Sequence, residues 1–282
     1  MKALIKKTVP FLYVFLRILL RILRESFFII RKQWVVTKFL GSEWKRSKNF
    51  MEIYLTYGCN LNCLNCDISS RQAPANEKMS LEQIQKFIDE SITAGIKWGK
   101  IRIMGGEPTL HPDILAIIKL LIRYKREYSK DTIIQLITNG YGVQVNKVLE
   151  EIPGEVEIEN SKKTDERQLF DTFNIAPVDL LRYKTVDYSN GCYVTDVCGI
   201  GLTPFGYYCC GIAGGIDRIL GFDLARKKIP DSGDKMTDQF NVFCRYCGHF
   251  KYPNFTNKEE MSGFWKKAYG KYKEEKPVLS RY

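Results

Sequence analysis

The chain has 282 residues, 45% of them hydrophobic and 27% charged, and a formal net charge of +11. This composition argues against global disorder, and the length suits one large domain with a smaller appendage. Residues 1–50 hold twelve Lys and Arg against two Glu, a net charge of +10, which leaves +1 for the other 232 residues. A nearly neutral body argues against a nucleic-acid groove and places the basic character in an N-terminal arm.

The arm comprises residues 1–48, and its sequence predicts an amphipathic helix over residues 11–32. Leu, Ile, Phe and Val cover most of its circumference, and four basic side chains share one stripe: Arg17, Arg21, Arg24 and Arg31. These arginines interrupt every apolar run before the roughly 18–20 residues of a spanning helix. We expect the arm to lie on an anionic leaflet. Packing of the apolar face on its own domain or on a partner protein is the alternative, and a spanning helix or signal anchor is a weaker one.

From residue 50 the sequence alternates strand and helix patterns, which predicts parallel β/α units. Helix starts are marked by a capping box at Ser80–Gln83 and by Pro112. Each unusual loop follows a predicted strand, and parallel strands end at one edge of a sheet, so these loops should meet on one face. The predicted strands span 50–56, 100–104, 133–137 and about 155–159, and the helices span 80–94, 112–128 and about 143–151.

Three cysteines follow the first predicted strand with C-x3-C-x2-C spacing, namely Cys59, Cys63 and Cys66. Three thiolates so close in sequence can hold three corners of a cubane [4Fe–4S] cluster, which leaves one iron open. Zinc or a structural cluster is the alternative for this spacing alone. Together with Gly105-Gly106-Glu107-Pro108 and Thr138-Asn139-Gly140, which end the next two strands, the spacing resembles the radical S-adenosylmethionine (SAM) superfamily over residues 50–160.

This resemblance implies a [4Fe–4S] cluster on the three cysteines, SAM on its open iron, and an electron from a reductant such as flavodoxin or ferredoxin. Reductive cleavage of SAM would then give a 5′-deoxyadenosyl radical that removes hydrogen from a substrate C–H bond. Asn65 stands where the family often has an aromatic residue near the adenine, so adenine recognition should differ. The other implied SAM contacts are Gly105, Gly106, Glu107, Pro108, Thr138, Asn139, Asn160 and Ser161; Glu107 could accept from the SAM ammonium group or fix its own loop.

Six further cysteines lie in the C-terminal part, and the segment from Cys198 to Cys210 resembles the hairpin of SPASM or twitch extensions. Such extensions carry an auxiliary [4Fe–4S] cluster, and a zinc knuckle is the alternative. The resemblance implies four ligands, Cys198, Cys210, Cys244 and Cys247, with Cys192 and Cys209 as rivals.

Two cysteines are then spare, and Cys192 or Cys209 could return a hydrogen atom to a substrate radical. The alternative is that each is a small buried packing residue. His249, after the last cysteine, is expected to support its turn. The Gly-rich segment 213–223 is predicted to be a linker.

The predicted fold is therefore α/β: a partial parallel (β/α) barrel of the radical SAM type at 49–185, with the arm before it. An auxiliary-cluster cap follows at 186–255, then a surface helix and loose tail at 256–282. The expected protein is a radical SAM enzyme in the reducing cytoplasm, peripheral on the inner face of the membrane, acting on a carbohydrate or lipid-linked glycan. A peptide-modifying enzyme is the alternative, and a non-catalytic Fe–S redox or sensor protein is a remote one.

Overall fold

The structure is a computed structural model that describes residues 10–164, 170–256 and 258–282. Strands in these residues are β1 Phe50–Tyr54, β2 Lys100–Met104, β3 Ile133–Thr138, β4 Val156–Asn160, β5 Phe170–Asp171, β6 Ile200–Thr203, β7 Gly206–Tyr208 and β8 Phe255–Thr256. The α-helices are α1 Pro10–Arg31, α2 Trp34–Leu40, α3 Leu81–Thr93, α4 Ile114–Glu127, α5 Val143–Glu150, α6 Val194–Val197, α7 Gly211–Leu220, α8 Thr237–Phe243 and α9 Gly263–Glu274.

Six strands form one sheet in the order β4-β3-β2-β1-β6-β7. Neighbouring strands from β4 to β6 are parallel, and β7 pairs antiparallel with β6. Within the part of the chain that the structure describes, β4 and β7 are the outermost strands and do not pair with each other, so the sheet is a partial barrel and does not close. β5 and β8 form a separate antiparallel pair. The predicted α/β fold class is confirmed.

The sheet separates two hydrophobic cores, and alternation along β1 supplies both of them. Met51 and Ile53 point into the outer core beneath α3 and α4. Tyr54 points into the inner core, which also holds most of the C-terminal cysteines. Both faces of the sheet are therefore covered, as parallel sheets require. The capping box predicted at Ser80–Gln83 is present at the start of α3.

Most of the Gly-rich segment predicted to be a linker, residues 213–220, is helical and belongs to α7. A Cβ on Gly211 would overlap the ring of Tyr54, and one on Gly214 would crowd Thr203 and Tyr208. The glycines thus serve close packing of a helix on the sheet rather than flexibility. The linker prediction was wrong for that reason.

The C-terminal tail, which was predicted to be loose, is held in place at its last residues. Leu279 is buried. The amide N–H of Tyr282 donates to Pro204 O at 3.1 Å, and Gln83 Nε2 donates to Tyr282 O at 3.2 Å. The last residues therefore pack against α3 and the β6–β7 turn.

The N-terminal helix α1 is exposed along most of its length, but the chain that follows it is part of the cap. Gln33 pairs with Val186 as an antiparallel bridge, and Asp187 N donates to Lys32 O at 2.7 Å. Trp44 N donates to Asn190 O at 3.1 Å. None of the described helices is long and apolar enough to cross a membrane.

Candidate functional site

The three cysteines of the first motif line one cavity of about 200 Å³ at the carboxyl ends of the parallel strands. Side chains and backbone from the ends of β2, β3 and β4 complete the wall, as parallel architecture predicts. Of the predicted site residues, the structure brings together on this cavity Cys59, Cys63, Cys66, Gly105, Gly106, Thr138, Asn139 and Ser161.

The two glycines after β2 let their loop contact the beginning of the cysteine loop. Gly106 N donates to Thr56 O at 2.8 Å, and Glu107 N donates to Gly58 O at 2.9 Å. A Cβ on Gly106 would overlap Gly58 O, and one on Gly105, which has a φ of +143°, would overlap Thr56 O. The close approach that the glycines permit is therefore between two backbone segments of the chain itself.

Glu107 is fully buried and fixes the loops after β2 and β3 relative to each other. Its Oε1 accepts from Thr109 N at 3.2 Å, Thr109 Oγ1 at 2.7 Å and Thr138 Oγ1 at 2.9 Å, and its Oε2 accepts from Asn139 N at 2.8 Å. A carboxylate with this many donors holds its neighbours strongly. Of the two roles left open by the sequence, the geometry favours loop fixation.

An asparagine pair connects the cysteine loop to the turn after β3. Asn139 Nδ2 donates to Asn60 Oδ1 at 2.8 Å and lies 3.8 Å from Cys59 Sγ. Asn60 Nδ2 donates to Tyr141 O at 2.6 Å. Sequence reasoning missed Asn60, although its place between two cysteines of the motif was a signal.

Hydrogen-bond donors approach the thiols of this cavity. Leu61 N donates to Cys59 Sγ at 3.5 Å, and Lys163 Nζ lies 3.9 Å from Cys63 Sγ. Burial raises the pKa of Cys66 to about 11. Three thiols with N–H donors and no fourth cysteine in the described lining fit an iron–sulfur cluster with one open iron. Lys163 was also missed; only its position after the fourth strand could have indicated it.

Four predicted SAM contacts do not line the cavity, namely Glu107, Pro108, Asn65 and Asn160. Asn65 has a φ of +51° and is buried, and its Nδ2 donates to Lys258 O at 2.7 Å. Asn160 Oδ1 accepts from Lys162 N at 2.8 Å. The structure therefore shows these two amides bonded to protein, and their roles toward SAM stay predictions.

Five of the six C-terminal cysteines line a second, apolar cavity inside the cap, namely Cys192, Cys209, Cys210, Cys244 and Cys247. Its other walls include Val194, Ile212, Ile216, Phe243 and Phe250. Within the described residues, no three His, Cys, Asp or Glu side chains converge as ligands of a single metal ion. A set of thiols in an apolar chamber fits a cubane, whose ligands are spread around four irons.

Cys198, one of the four predicted auxiliary ligands, does not line this cavity. The short helix α6 carries the chain away from Cys192, so that the Cys198 thiol donates to Glu52 and lies 3.9 Å from Arg102 Nη1. Burial raises the pKa of Glu52 to about 7, although Arg102 opposes the shift. The structure thus groups Cys192, not Cys198, with the other thiols.

The two predicted hydrogen donors, Cys192 and Cys209, both belong to the cap cavity. Cys209 is fully buried and shares a hydrogen bond with Cys210. Neither lines the cavity of the first cysteine motif. Their placement gives the hydrogen-donor role no support, and it stays a prediction.

A contact between an aspartate and a histidine lies between the two cysteine sites. Asp67, next to Cys66, lines the first cavity, and its Oδ2 is 3.8 Å from His249 Nε2. His249 follows Cys247 by two residues. Burial raises the pKa of Asp67 and the contact with His249 lowers it, with a net downward shift. The cysteine loop and the cap therefore meet at this contact, which the sequence did not indicate.

Residues 53–155 match the family profile described as the radical SAM superfamily. A GTP 3′,8-cyclase from Aliarcobacter butzleri is 38% identical over 98 residues, 34% of this chain and 28% of that protein. One from Campylobacter jejuni subsp. doylei is 35% identical over 104 residues, 36% of this chain and 31% of that protein. The chain thus spans less than a third of the length of these curated relatives.

A solved structure, "Crystal structure of BtrN in complex with AdoMet and 2-DOIA", aligns with 78% of this chain and 98% of that chain, with 12% identity and a TM-score of 0.42. The family match, in contrast, contains the three cysteines of the first cavity and the loops that end β2 and β3. Residues 53–155 of this chain are therefore similar to the radical SAM superfamily.

Proposed function

We propose that this chain is an enzyme that holds a [4Fe–4S] cluster on Cys59, Cys63 and Cys66 and uses SAM to abstract hydrogen from a substrate C–H bond. The observation that carries the proposal is the convergence of three thiols and two strand-end loops on one cavity. When bound, the cluster and SAM would supply reductive cleavage to a 5′-deoxyadenosyl radical, given an electron from a flavodoxin or ferredoxin.

The residues around the cavity have distinct tasks in this proposal. Lys163 offers an ammonium group for the SAM carboxylate, and Ser161 offers a hydroxyl beside it. The side chains of Met104 and Ile137 exclude water from the reacting atoms. Glu107 and Asn60 do not need to touch SAM, because their hydrogen bonds hold the loops that do.

We also propose an auxiliary [4Fe–4S] cluster on Cys192, Cys210, Cys244 and Cys247, with Cys209 as the rival ligand. The shared apolar cavity supports this set.

The substrate we favour is a carbohydrate or lipid-linked glycan, with a ribosomal peptide as the alternative. Similarity to proteins named GTP 3′,8-cyclase covers about a third of this chain and less than a third of those proteins, so it does not favour GTP over these substrates. The membrane-binding arm proposed next favours a lipid-linked substrate.

The arm is proposed to bind an anionic leaflet, on the cytoplasmic side, through the outward face of α1. Phe15 is 54% exposed, Leu19 40% and Phe27 71%. On the opposite side, Arg21 Nη2 donates to Asn254 Oδ1 at 3.4 Å and Glu25 pairs with Arg182. A helix that turns apolar side chains outward and flanks them with arginines suits an interfacial position.

Iron counting and SAM cleavage test the catalytic proposal. Anaerobically reconstituted protein should hold about eight irons, as two cubanes require, and should release 5′-deoxyadenosine from SAM with dithionite. Cys63→Ala should lose the product and about half of the iron. Well-loaded protein that yields no 5′-deoxyadenosine would overturn the proposal.

Two further variants separate the auxiliary ligand sets. Cys192→Ala should lose the auxiliary cluster, whereas Cys198→Ala should keep the full iron content. The reverse result would restore the ligand set predicted from sequence.

Sedimentation with vesicles tests the arm. The wild type should bind vesicles of phosphatidylcholine with phosphatidylglycerol, and the double variant Phe15→Glu, Leu19→Glu should not. Val143→Glu is the matched control, because Val143 is an 86% exposed apolar residue on α5. Equal binding by wild type and double variant would refute the membrane role.

A further inference from the structure

One lysine from the arm is buried completely within the cap. Lys32 follows α1, and its side chain is 0% exposed. Nζ donates to Gly191 O at 2.8 Å and lies 3.3 Å from Glu43 Oε2. It also lies 4.9 Å and 4.4 Å from the ring centroids of Phe28 and Phe250.

Burial of an ammonium group is costly unless charge and hydrogen bonds compensate it. Burial lowers the pKa of Lys32, and the contact with Glu43 opposes the shift. The Glu43 side chain is 30% exposed, so water partly screens its negative charge.

The position of the ammonium group connects it to the cysteine cavity by two routes. Gly191, whose carbonyl it binds, is joined directly to Cys192. Phe250, whose ring it contacts, is a wall of the cavity. The cation therefore lies behind the wall of the cavity, in an interior where solvent ions screen charge much less than at the surface.

We propose that Lys32 is the charge partner of the auxiliary cluster and raises its reduction potential. The proposal rests on the auxiliary cluster proposed above. Each added electron makes a thiolate-ligated cluster more negative, and a nearby buried cation stabilises the more negative state. Net charge, hydrogen bonding and burial are the terms by which proteins set such potentials.

The test measures the potential of the auxiliary cluster alone. A full-length background with Cys59, Cys63 and Cys66 all changed to Ala removes the SAM cluster and should retain about four irons. Redox titration with mediator dyes, followed by electron paramagnetic resonance of the reduced cluster, gives the midpoint. If this background holds no iron, the auxiliary cluster itself is refuted, which is distinct from failure of the Lys32 role.

Lys32→Met keeps most of the side-chain volume and removes the charge. We expect it to make reduction tenfold less favourable or more, a drop of about 59 mV for one electron. Lys86→Met is the matched control, because Lys86 Nζ also contacts a carbonyl, Lys227 O at 3.2 Å, and an aromatic ring, Tyr282 at 3.9 Å, but on α3. An iron-loaded Lys32→Met protein with the background potential overturns the proposal.

If Lys32→Met does not assemble a cluster, the reduction potential of the Glu43→Gln variant tests the proposal instead. Removal of this carboxylate leaves the ammonium charge less compensated, so the potential should rise. An unchanged potential in iron-loaded Glu43→Gln overturns the proposal.

Discussion

At the scale of single residues, the two strand-end motifs hold loops in place as much as they face a ligand. Gly106 and Glu107 both bond to the first residues of the cysteine loop. Glu107 then reaches the turn after β3 through Thr138 and Asn139. Substitution of Gly106 or Glu107 should therefore displace the three cysteines of the first motif, although neither residue contacts them.

Gly106→Ala should impair assembly of the SAM cluster, because its Cβ would overlap the carbonyl of Gly58. Iron content should fall by about half, with the proposed auxiliary cluster retained. Gly154→Ala is the control, since a Cβ there meets nothing within 4 Å. Normal iron content and SAM cleavage in Gly106→Ala would contradict this prediction. They would show that the loop after β2 can move away from the cysteine loop without loss of the cluster.

Glu107→Ala should destabilise the fold and weaken SAM binding together. It leaves the buried donors of Thr109, Thr138 and Asn139 without their acceptor, at a cost of about 1–3 kcal/mol for each unsatisfied group. Anaerobic urea unfolding measures the first effect and equilibrium dialysis of SAM measures the second. A large loss of SAM binding at unchanged stability would instead indicate direct contact with the ligand.

At the scale of elements, α7 connects the cap to the cysteine loop. Arg218 Nη1 donates to Ala73 O at 2.8 Å, and its Nη2 donates to Ile68 O at 2.9 Å. Its guanidinium lies 4.3 Å from the ring centroid of Tyr57. The segment that follows Cys66 is therefore held by a helix about 150 residues later in the chain.

Arg218→Met should lower the free energy of unfolding by about 3 kcal/mol or more, because it leaves buried carbonyls unpaired. Arg123→Met is the control. Arg123 is exposed on α4, and its guanidinium makes an exposed hydrogen bond to a side chain, Gln85 Oε1 at 2.8 Å, so its loss should cost within about 0.5 kcal/mol. Equal unfolding midpoints for the two variants would contradict the role of Arg218.

Local sequence patterns predicted some of these elements and not others. Alternation of strands and helices predicted β1 to β4 and the meeting of their loops, because those patterns depend on local burial. The helical state of α7 was not predictable in that way, since its glycines are explained only by Tyr54 and Tyr208 on distant strands. Cys198 shows the same difficulty: its sequence spacing suits a ligand, but its path along α6 ends beside Glu52.

At the scale of the whole molecule, the sheet separates a core that contains cysteines from one that does not. The inner core holds Tyr54, Tyr57 and the cap cysteines, while the outer core beneath α3 and α4 holds none in the described residues. Groups that bind only the native state stabilise the region that they occupy. The two cores should therefore respond differently to loss of iron.

Removal of iron with an anaerobic chelator should speed amide hydrogen exchange in α7 and α8 and leave α4 nearly unchanged. The reason is that α7 and α8 wall the cap cavity, whereas α4 packs only in the outer core. Mass spectrometry of the iron-loaded and the iron-free protein measures the exchange rates of all three helices. Uniform acceleration across the sheet and α4 would show that the two cores unfold as one unit.

The contact between Lys32 and Gly191 joins residues 159 positions apart. Asn190 reaches Thr37 across 153 positions, and Thr185 reaches Gln33 across 152. Such distant pairs are slow to form during folding. On the ribosome, the base of the arm is made early but finds its partners only after more than half of the described chain has emerged. Until then, residues 32–37 have no part of the cap against which to pack.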